Sequence, residues 1–223
     1  AKAVELVRSG QAELVMNATG PWAGKTSELD GPGGVRLRLT KGVHVIVPRA
    51  RVGNEAALVL HARRDRRVMF VIPWGAHALI GTTDTDHPGG PDVRARVEAE
   101  DVAYLLETVN YYLPAAGLRP ADVVGAYAGL RPLIAPRETE ALSPSAVSRE
   151  EEIHTAGSGL IFMAGGKLTT FRLVSEEIVD QVVARLRADG DRRNFTPCRT
   201  AELPLLGGRR VGHHGEDRIA VIT

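Results

Sequence analysis

Phe162-Met163-Ala164-Gly165-Gly166-Lys167-Leu168-Thr169-Thr170 is the stretch on which the reading of this chain turns. A strand-sized apolar run, Leu160 to Met163, ends on Ala164-Gly165-Gly166. A helical pattern starts at once: Phe171, Val174, Ile178, Val182 and Leu186 form one face from about Lys167 to Arg187, and Gly190 lies just beyond. The spacing predicts a helix opening on two glycines, where bare backbone N–H groups and the helix dipole favour negative charge. Lys167 adds a cation there, and Thr169 and Thr170 add hydroxyls. The glycine spacing fits neither a P-loop nor a dinucleotide fingerprint. A plain capped strand–helix connection explains the pattern as readily as an anion site does.

Working outward, residues 2–18 read as a hairpin, with Ser9-Gly10 as its turn and Glu13 to Met16 leading into Asn17-Ala18-Thr19-Gly20. Short strand candidates follow at Val35 to Leu39, Val43 to Val47, Ala57 to His61, Val68 to Ile72 and His77 to Gly81. Val102, Leu105, Leu106, Val109 and Leu113 then fall at helical spacing between Glu98 and Pro114. Val123 to Tyr127 returns to strand character, and Leu130 to Leu133 enters an irregular stretch rich in Pro and Glu that lasts to Glu152. The tail, Asp191 to Thr223, is mostly polar, with apolar clusters at Leu203 to Leu206 and Ile219 to Ile222. This order predicts an α/β (α+β) fold, a mixed or antiparallel sheet with helices rather than an all-parallel one.

Length and charge narrow the classes. The 223 residues make about one and a half domains at ~150 residues each. Hydrophobic residues at 43% and charged residues at 25% suit a packed globule rather than a disordered chain. The formal charge, 28 − 27 = +1, gives no global pull toward nucleic acid or anionic lipid. Cys198 is the one cysteine, so an intrachain disulfide and a thiolate zinc cluster are both excluded, and a reducing compartment fits best. The start at Ala1, within a strand-like pattern and without Met, is expected of a piece of a longer protein.

Three side chains stand out as candidates for chemistry. Arg131 sits between Leu130 and Pro132, and a half-buried guanidinium there needs a carboxylate, a phosphate or carbonyls. On residue type alone, an ion pair with nearby glutamates is the simpler reading. His44 is on the face of its strand opposite Val43, Val45 and Val47, where it is a base candidate or an ordinary sheet histidine. Lys167 is the third. The arginine cluster Arg63 to Arg67 lacks interleaved aromatics and reads as a solvated turn, so no nucleic-acid partner is expected. Gly81 to Asp86 has no distal Glu for a calcium loop, and His213-His214 with Glu216 and Asp217 read as surface, so no metal is expected.

The order of segments carries further. Asn17 to Gly24, Lys41-Gly42-Val43-His44-Val45-Ile46-Val47-Pro48, Ile72-Pro73-Trp74, Ile80-Gly81-Thr82-Thr83-Asp84, Gly129-Leu130-Arg131-Pro132-Leu133 and Gly165 to Arg172 together resemble the FAD-dependent glycerol-3-phosphate dehydrogenase family. The resemblance implies a flavoenzyme that oxidises sn-glycerol 3-phosphate to dihydroxyacetone phosphate by hydride transfer to FAD and passes electrons to a quinone. It implies that Ala18, Thr19 and Gly20 form a turn against FAD, and that Gly165, Gly166, Lys167, Leu168 and Thr169 face the flavin. Arg131 and Lys167 would bind the substrate anion, and His44 would be the base.

The family's opening Gly-x-Gly-x-x-Gly strand–turn–helix has no counterpart here. The expectation is therefore a middle fragment, inactive on its own: residues 1–26 a remnant of the FAD-binding domain, 27–135 the substrate-binding sheet, 136–190 a return to the FAD-binding domain with its long helix, and 191–223 the start of a C-terminal region. A homodimer and a cytoplasmic location, peripheral on the inner face of the plasma membrane, are expected from the same analogy. Two alternatives stay open: a related FAD-dependent amine or hydroxy-acid oxidase, in which Arg131 would grip a carboxylate, and a non-catalytic folded module.

Overall fold

The computed structural model describes residues 5–6, 9–31, 35–135 and 150–204. Parts of the expected N-terminal hairpin, residues 136–149 of the Pro/Glu-rich stretch, the histidine pair at 213–214 and the apolar cluster at 219–222 lie outside them. The described elements, in chain order, are β1 (Met16–Asn17), α1 (Ala23–Glu28), β2 (Leu37–Pro48), α2 (Arg49–Val52), β3 (Leu58–His61), β4 (Val68–Trp74), β5 (His77–Gly81), β6 (Thr85–Asp86), α3 (Ala99–Tyr112), β7 (Gly125–Ile134), β8 (Glu152–Thr155), β9 (Ile161–Ala164) and α4 (Phe171–Ala188). The chain forms two compact units: residues 1–18, 26–34 and 150–223 make one, and residues 19–25 and 35–149 the other. The expected mixed α/β architecture is present.

The larger unit is built on β2. This strand pairs antiparallel with β7 along most of its length, and with β5 and β6 through its two halves; β4 and β3 extend the sheet beyond β5. Val43, Val45 and Val47 are fully buried, and the core they enter holds Met69 and Val71 of β4, Ala78 and Ile80 of β5, and Leu105, Leu106 and Val109 of α3. β-Branched side chains at every second position suit such a one-sided strand. α3 starts on a capping box, in which the side chains of Glu98 and Asp101 each accept from the other's backbone N–H, and the run ends just before Pro114.

Two expectations change here. Leu37 to Leu39 of the first candidate and Val43 to Val47 are parts of one twelve-residue strand, because Gly42 stays in the ladder opposite Gly129. Leu130 to Leu133 is not irregular: it lies inside β7, with Pro132 opposite Leu39. β7 pairs with β2 alone among the described strands, so Pro132 has no second ladder to interrupt.

In the smaller unit β1 runs parallel to β9, with Met16 opposite Ile161, and β8 pairs antiparallel with β9. Glu5 and Leu6 are helical, and their carbonyls accept from Ser9, Gln11 and Ala12, so the chain enters β1 from a helical turn rather than a hairpin strand. After β9, Gly165 and Gly166 both take left-handed backbone, at φ 75° and 81°, and Lys167 is extended. A 3₁₀ turn, Leu168–Thr170, precedes α4. The α-helix thus begins four residues later than the periodicity predicts, because two consecutive left-handed residues swing the chain away before it can wind. Val174 and Ile178 are its buried residues, and Gly190, at φ 95°, follows its end as expected.

Candidate functional site

Arg131 and His44 share one face of the large sheet. Register pairs Thr40 with Arg131 and His44 with Tyr127, and residues directly opposite one another point the same way. Both side chains lie flat across neighbouring strands, and in each case a glycine makes the space. A methyl added at Gly42 would sit 2.2 Å from Nη2 of Arg131, and one added at Gly81 would sit 2.1 Å from Cδ2 of His44. The Tyr127 ring stacks on the His44 imidazole at 5.0 Å and 12°.

Three successive residues after β5 take up the guanidinium of Arg131. Its Nη2 donates to Thr82 Oγ1 at 2.7 Å, and its Nη1 donates to the Thr83 carbonyl at 3.2 Å and to Asp84 Oδ1 at 3.3 Å. The Asp84 side chain is fully buried and that of Arg131 is 25% exposed. The ion pair expected of Arg131 therefore exists, with an aspartate as partner rather than a glutamate. Burial first, and the Arg131 charge second, push the His44 imidazole below its ordinary value, which favours its neutral, proton-accepting form.

Behind this face Lys41 is buried, its Nζ 2.7 Å from Asp101 and 2.8 Å from Glu98. Burial opposes that charge, but the two carboxylates outweigh it and hold the ammonium above the ordinary lysine value. In the arginine cluster, Arg64 pairs with Glu107 and Arg67 donates to the Asp84 carbonyl, so the expected solvated turn is partly tied down.

The other predicted residues divide between the units. Thr19 and Gly20 open a 3₁₀ turn in the larger unit, with Gly20 at φ 58°. Trp22 donates from Nε1 to Asp92 at 2.8 Å, and Lys25 also bonds Asp92. Ala18, Gly165, Gly166, Lys167, Leu168 and Thr169 belong to the smaller unit. Lys167 and Thr169 are exposed, and Leu168 is 87% exposed. First-turn N–H groups at 168 and 169 lack intrahelical acceptors. Bare glycine backbone, an ammonium, a hydroxyl and an uncovered apolar side chain make a donor-rich surface that fits the polar edge of a flavin ring. Among the described residues, none cluster as a metal site and no helix is long and apolar enough to cross a membrane.

Sequence reasoning missed Thr82, Thr83, Asp84, Tyr127, Gly42 and Gly81 as parts of the site. The signal was present in the last two, since a glycine inside an apolar strand run often marks a close approach.

Residues 1–172 match the family described as DAO, FAD dependent oxidoreductase. The chain is 38% identical over 208 residues to the aerobic glycerol-3-phosphate dehydrogenase of Bacillus subtilis, covering 90% of this chain and 35% of that protein. It is 40% identical over 204 residues to glycerol-3-phosphate dehydrogenase 2 of Mycobacterium tuberculosis, covering 88% of this chain and 32% of that one. The chain thus spans about a third of the length of the curated relatives it matches. Among solved structures, the glycerol-3-phosphate dehydrogenase of Bacillus halodurans complexed with FAD aligns with a TM-score of 0.76 and 36% identity, over 93% of this chain and 38% of that chain. The glycine oxidase of Bacillus cereus aligns with a TM-score of 0.51 at 22% identity, over 82% of this chain and 47% of that chain, a likeness of fold alone.

Proposed function

Because this chain belongs to the FAD dependent oxidoreductase family, we propose that it supplies the substrate-gripping sheet and the flavin-side turns of an enzyme oxidising sn-glycerol 3-phosphate to dihydroxyacetone phosphate. In this reading residues 27–135 hold the substrate, residues 1–26 and 136–190 contribute to the flavin-binding part, and 191–223 begin a C-terminal region. Ala18, Thr19 and Gly20, with Gly165 to Thr169, would hold FAD. When bound, FAD accepts the hydride. Electrons then pass to a quinone, which calls for a cytoplasmic enzyme resting on the inner face of the plasma membrane. A homodimer belongs to the same reading.

The chain's own residues do the remaining work. Arg131 binds the phosphate, since a fixed guanidinium gives charge-assisted, directional bonds to an oxyanion. Lys167 adds a second, mobile cation. His44, whose neutral form burial favours, takes the proton of the substrate hydroxyl as the carbon loses its hydride. One observation carries the proposal: a fixed cation and an imidazole share one sheet face, each laid over a glycine of a neighbouring strand.

The test is Arg131→Met in the FAD-loaded enzyme. Loss of a charged hydrogen-bonding partner is expected to raise KM for glycerol 3-phosphate about ten- to a hundredfold. An unchanged KM, or faster turnover of sarcosine or lactate than of glycerol 3-phosphate by the unaltered enzyme, overturns the assignment.

A further inference from the structure

We propose that Asp84 and Thr82 are the positioning pair that aims the Arg131 guanidinium, and through it set how tightly the site grips an anionic substrate. The inference rests on the reading of Arg131 given above. Neither residue is assigned to the reacting atoms; both act through the arginine.

An arginine on strand β7 has four side-chain torsions to fix, and fixing them costs entropy unless fixed acceptors meet its fork. Here Thr82 Oγ1, the Thr83 carbonyl and Asp84 Oδ1 take bonds from both Nη atoms. The acceptors are themselves held by hydrogen bonds. The Thr82 hydroxyl donates to the Thr83 carbonyl at 2.9 Å, so its lone pairs are turned toward the arginine. Val43 N–H donates to Thr83 Oγ1 at 3.0 Å, and Thr83 N–H returns a bond to the Val43 carbonyl at 3.3 Å. Arg67 holds the Asp84 carbonyl on the other side. The segment is therefore pinned to the strand that carries His44, and its polar groups meet a guanidinium that lies over Gly42 of that strand.

Asp84 is the charged one of the three acceptors. Its side chain is fully buried beside the guanidinium, a setting in which loss of either partner is costly. Without the carboxylate the guanidinium keeps its charge but loses one of the acceptors that fix its direction. Directed bidentate contact is what separates an arginine from a loose point charge in oxyanion recognition. Misdirection would weaken substrate binding more than it slows the chemical step, because the base and hydride-bearing carbon are untouched.

Steady-state kinetics of Asp84→Ala, Asp84→Asn and Thr82→Val in the FAD-loaded enzyme, with glycerol 3-phosphate as substrate, decide the matter. Asp84→Ala is expected to raise KM about tenfold, with kcat changed by less than about threefold. Asp84→Asn keeps an acceptor oxygen in place and is expected to bring KM back to within about threefold of the unaltered enzyme. Thr82→Val, which removes one acceptor and leaves the buried carboxylate alone, is expected to raise KM several-fold, and it decides the question by itself if the alanine variant does not fold. Unchanged KM in the folded variants, beside a raised KM in Arg131→Met, overturns the positioning role and leaves the assignment of Arg131 standing. A parallel fall in kcat and in melting temperature, without the KM effect, marks a merely structural role and also overturns it. If Arg131→Met itself leaves KM unchanged, the functional reading fails first.

Discussion

Gly42 and Gly81 have no side chains, yet they decide where two others go. Each lies in a strand beneath one of those side chains, and a Cβ at either position would sit 2.1–2.2 Å from it, so that side chain would have to shift. Gly42→Ala is therefore expected to expel the guanidinium and raise KM much as Arg131→Met does, while circular dichroism stays that of a folded chain. Gly81→Ala is expected to displace the imidazole and lower kcat. Native KM and kcat in both variants would show that the side chains need no such berth. The pH dependence follows from the same neighbours. Burial and the Arg131 charge hold His44 below its ordinary value, so activity that needs neutral imidazole should rise with pH through a midpoint below about 6.5. Arg131→Met removes one cause and should move that midpoint upward, as imidazole titration by NMR would reveal. A downward or absent shift contradicts it.

At the scale of elements, β2 is joined to α3 by a buried ion pair as well as by apolar packing. Lys41 and Asp101 have 8% and 6% of their side chains exposed. Removing one partner strands a buried charge, so Lys41→Met should cost about 3–5 kcal/mol in urea unfolding, and pairing it with Asp101→Leu should restore much of that. A loss below about 1 kcal/mol, the value of an exposed pair, would refute the burial argument. The apolar side of β2 was legible in the sequence because valines at positions 43, 45 and 47 repeat with the period of a strand. The helical spacing of Leu105, Leu106 and Val109 was equally plain. What pattern could not show was continuity through Gly42, because a glycine read alone is a breaker and only the guanidinium of Arg131 explains its place. Pro132 misled in the same way: its tolerance depends on β7 having a single partner, which is a property of the sheet. The role of Thr82 to Asp84 was hidden because their acceptor groups meet a residue 47 to 49 positions away.

Across the whole molecule, acid should act in two stages. A histidine whose folded value is lowered takes up its proton more readily in the unfolded chain. Stability is therefore full above about 6.5 and declines as pH falls from there toward the folded value of His44. Asp86 and Asp122 are held below the ordinary carboxylate range, the first by its side-chain bonds from Arg38 and the second by the backbone N–H of Arg119. Their contribution is present above that range and lost as pH falls through their folded values. A melting-temperature series against pH should show both declines, and His44→Gln should remove the upper one alone; persistence of that step in the variant would assign it elsewhere. The parallel pairing of Met16 with Ile161 has a consequence of a different kind. During synthesis β1 leaves the ribosome with its partner still untranslated, and every strand from β2 to β7 emerges before β9 does. The antiparallel strands around β2 have their neighbours to hand first, while Met16 and Asn17 wait for Ile161 and Phe162 until β2 to β8 have been made. The sheet of the smaller unit should therefore form later in synthesis than that of the larger unit, as limited proteolysis of stalled nascent chains would check.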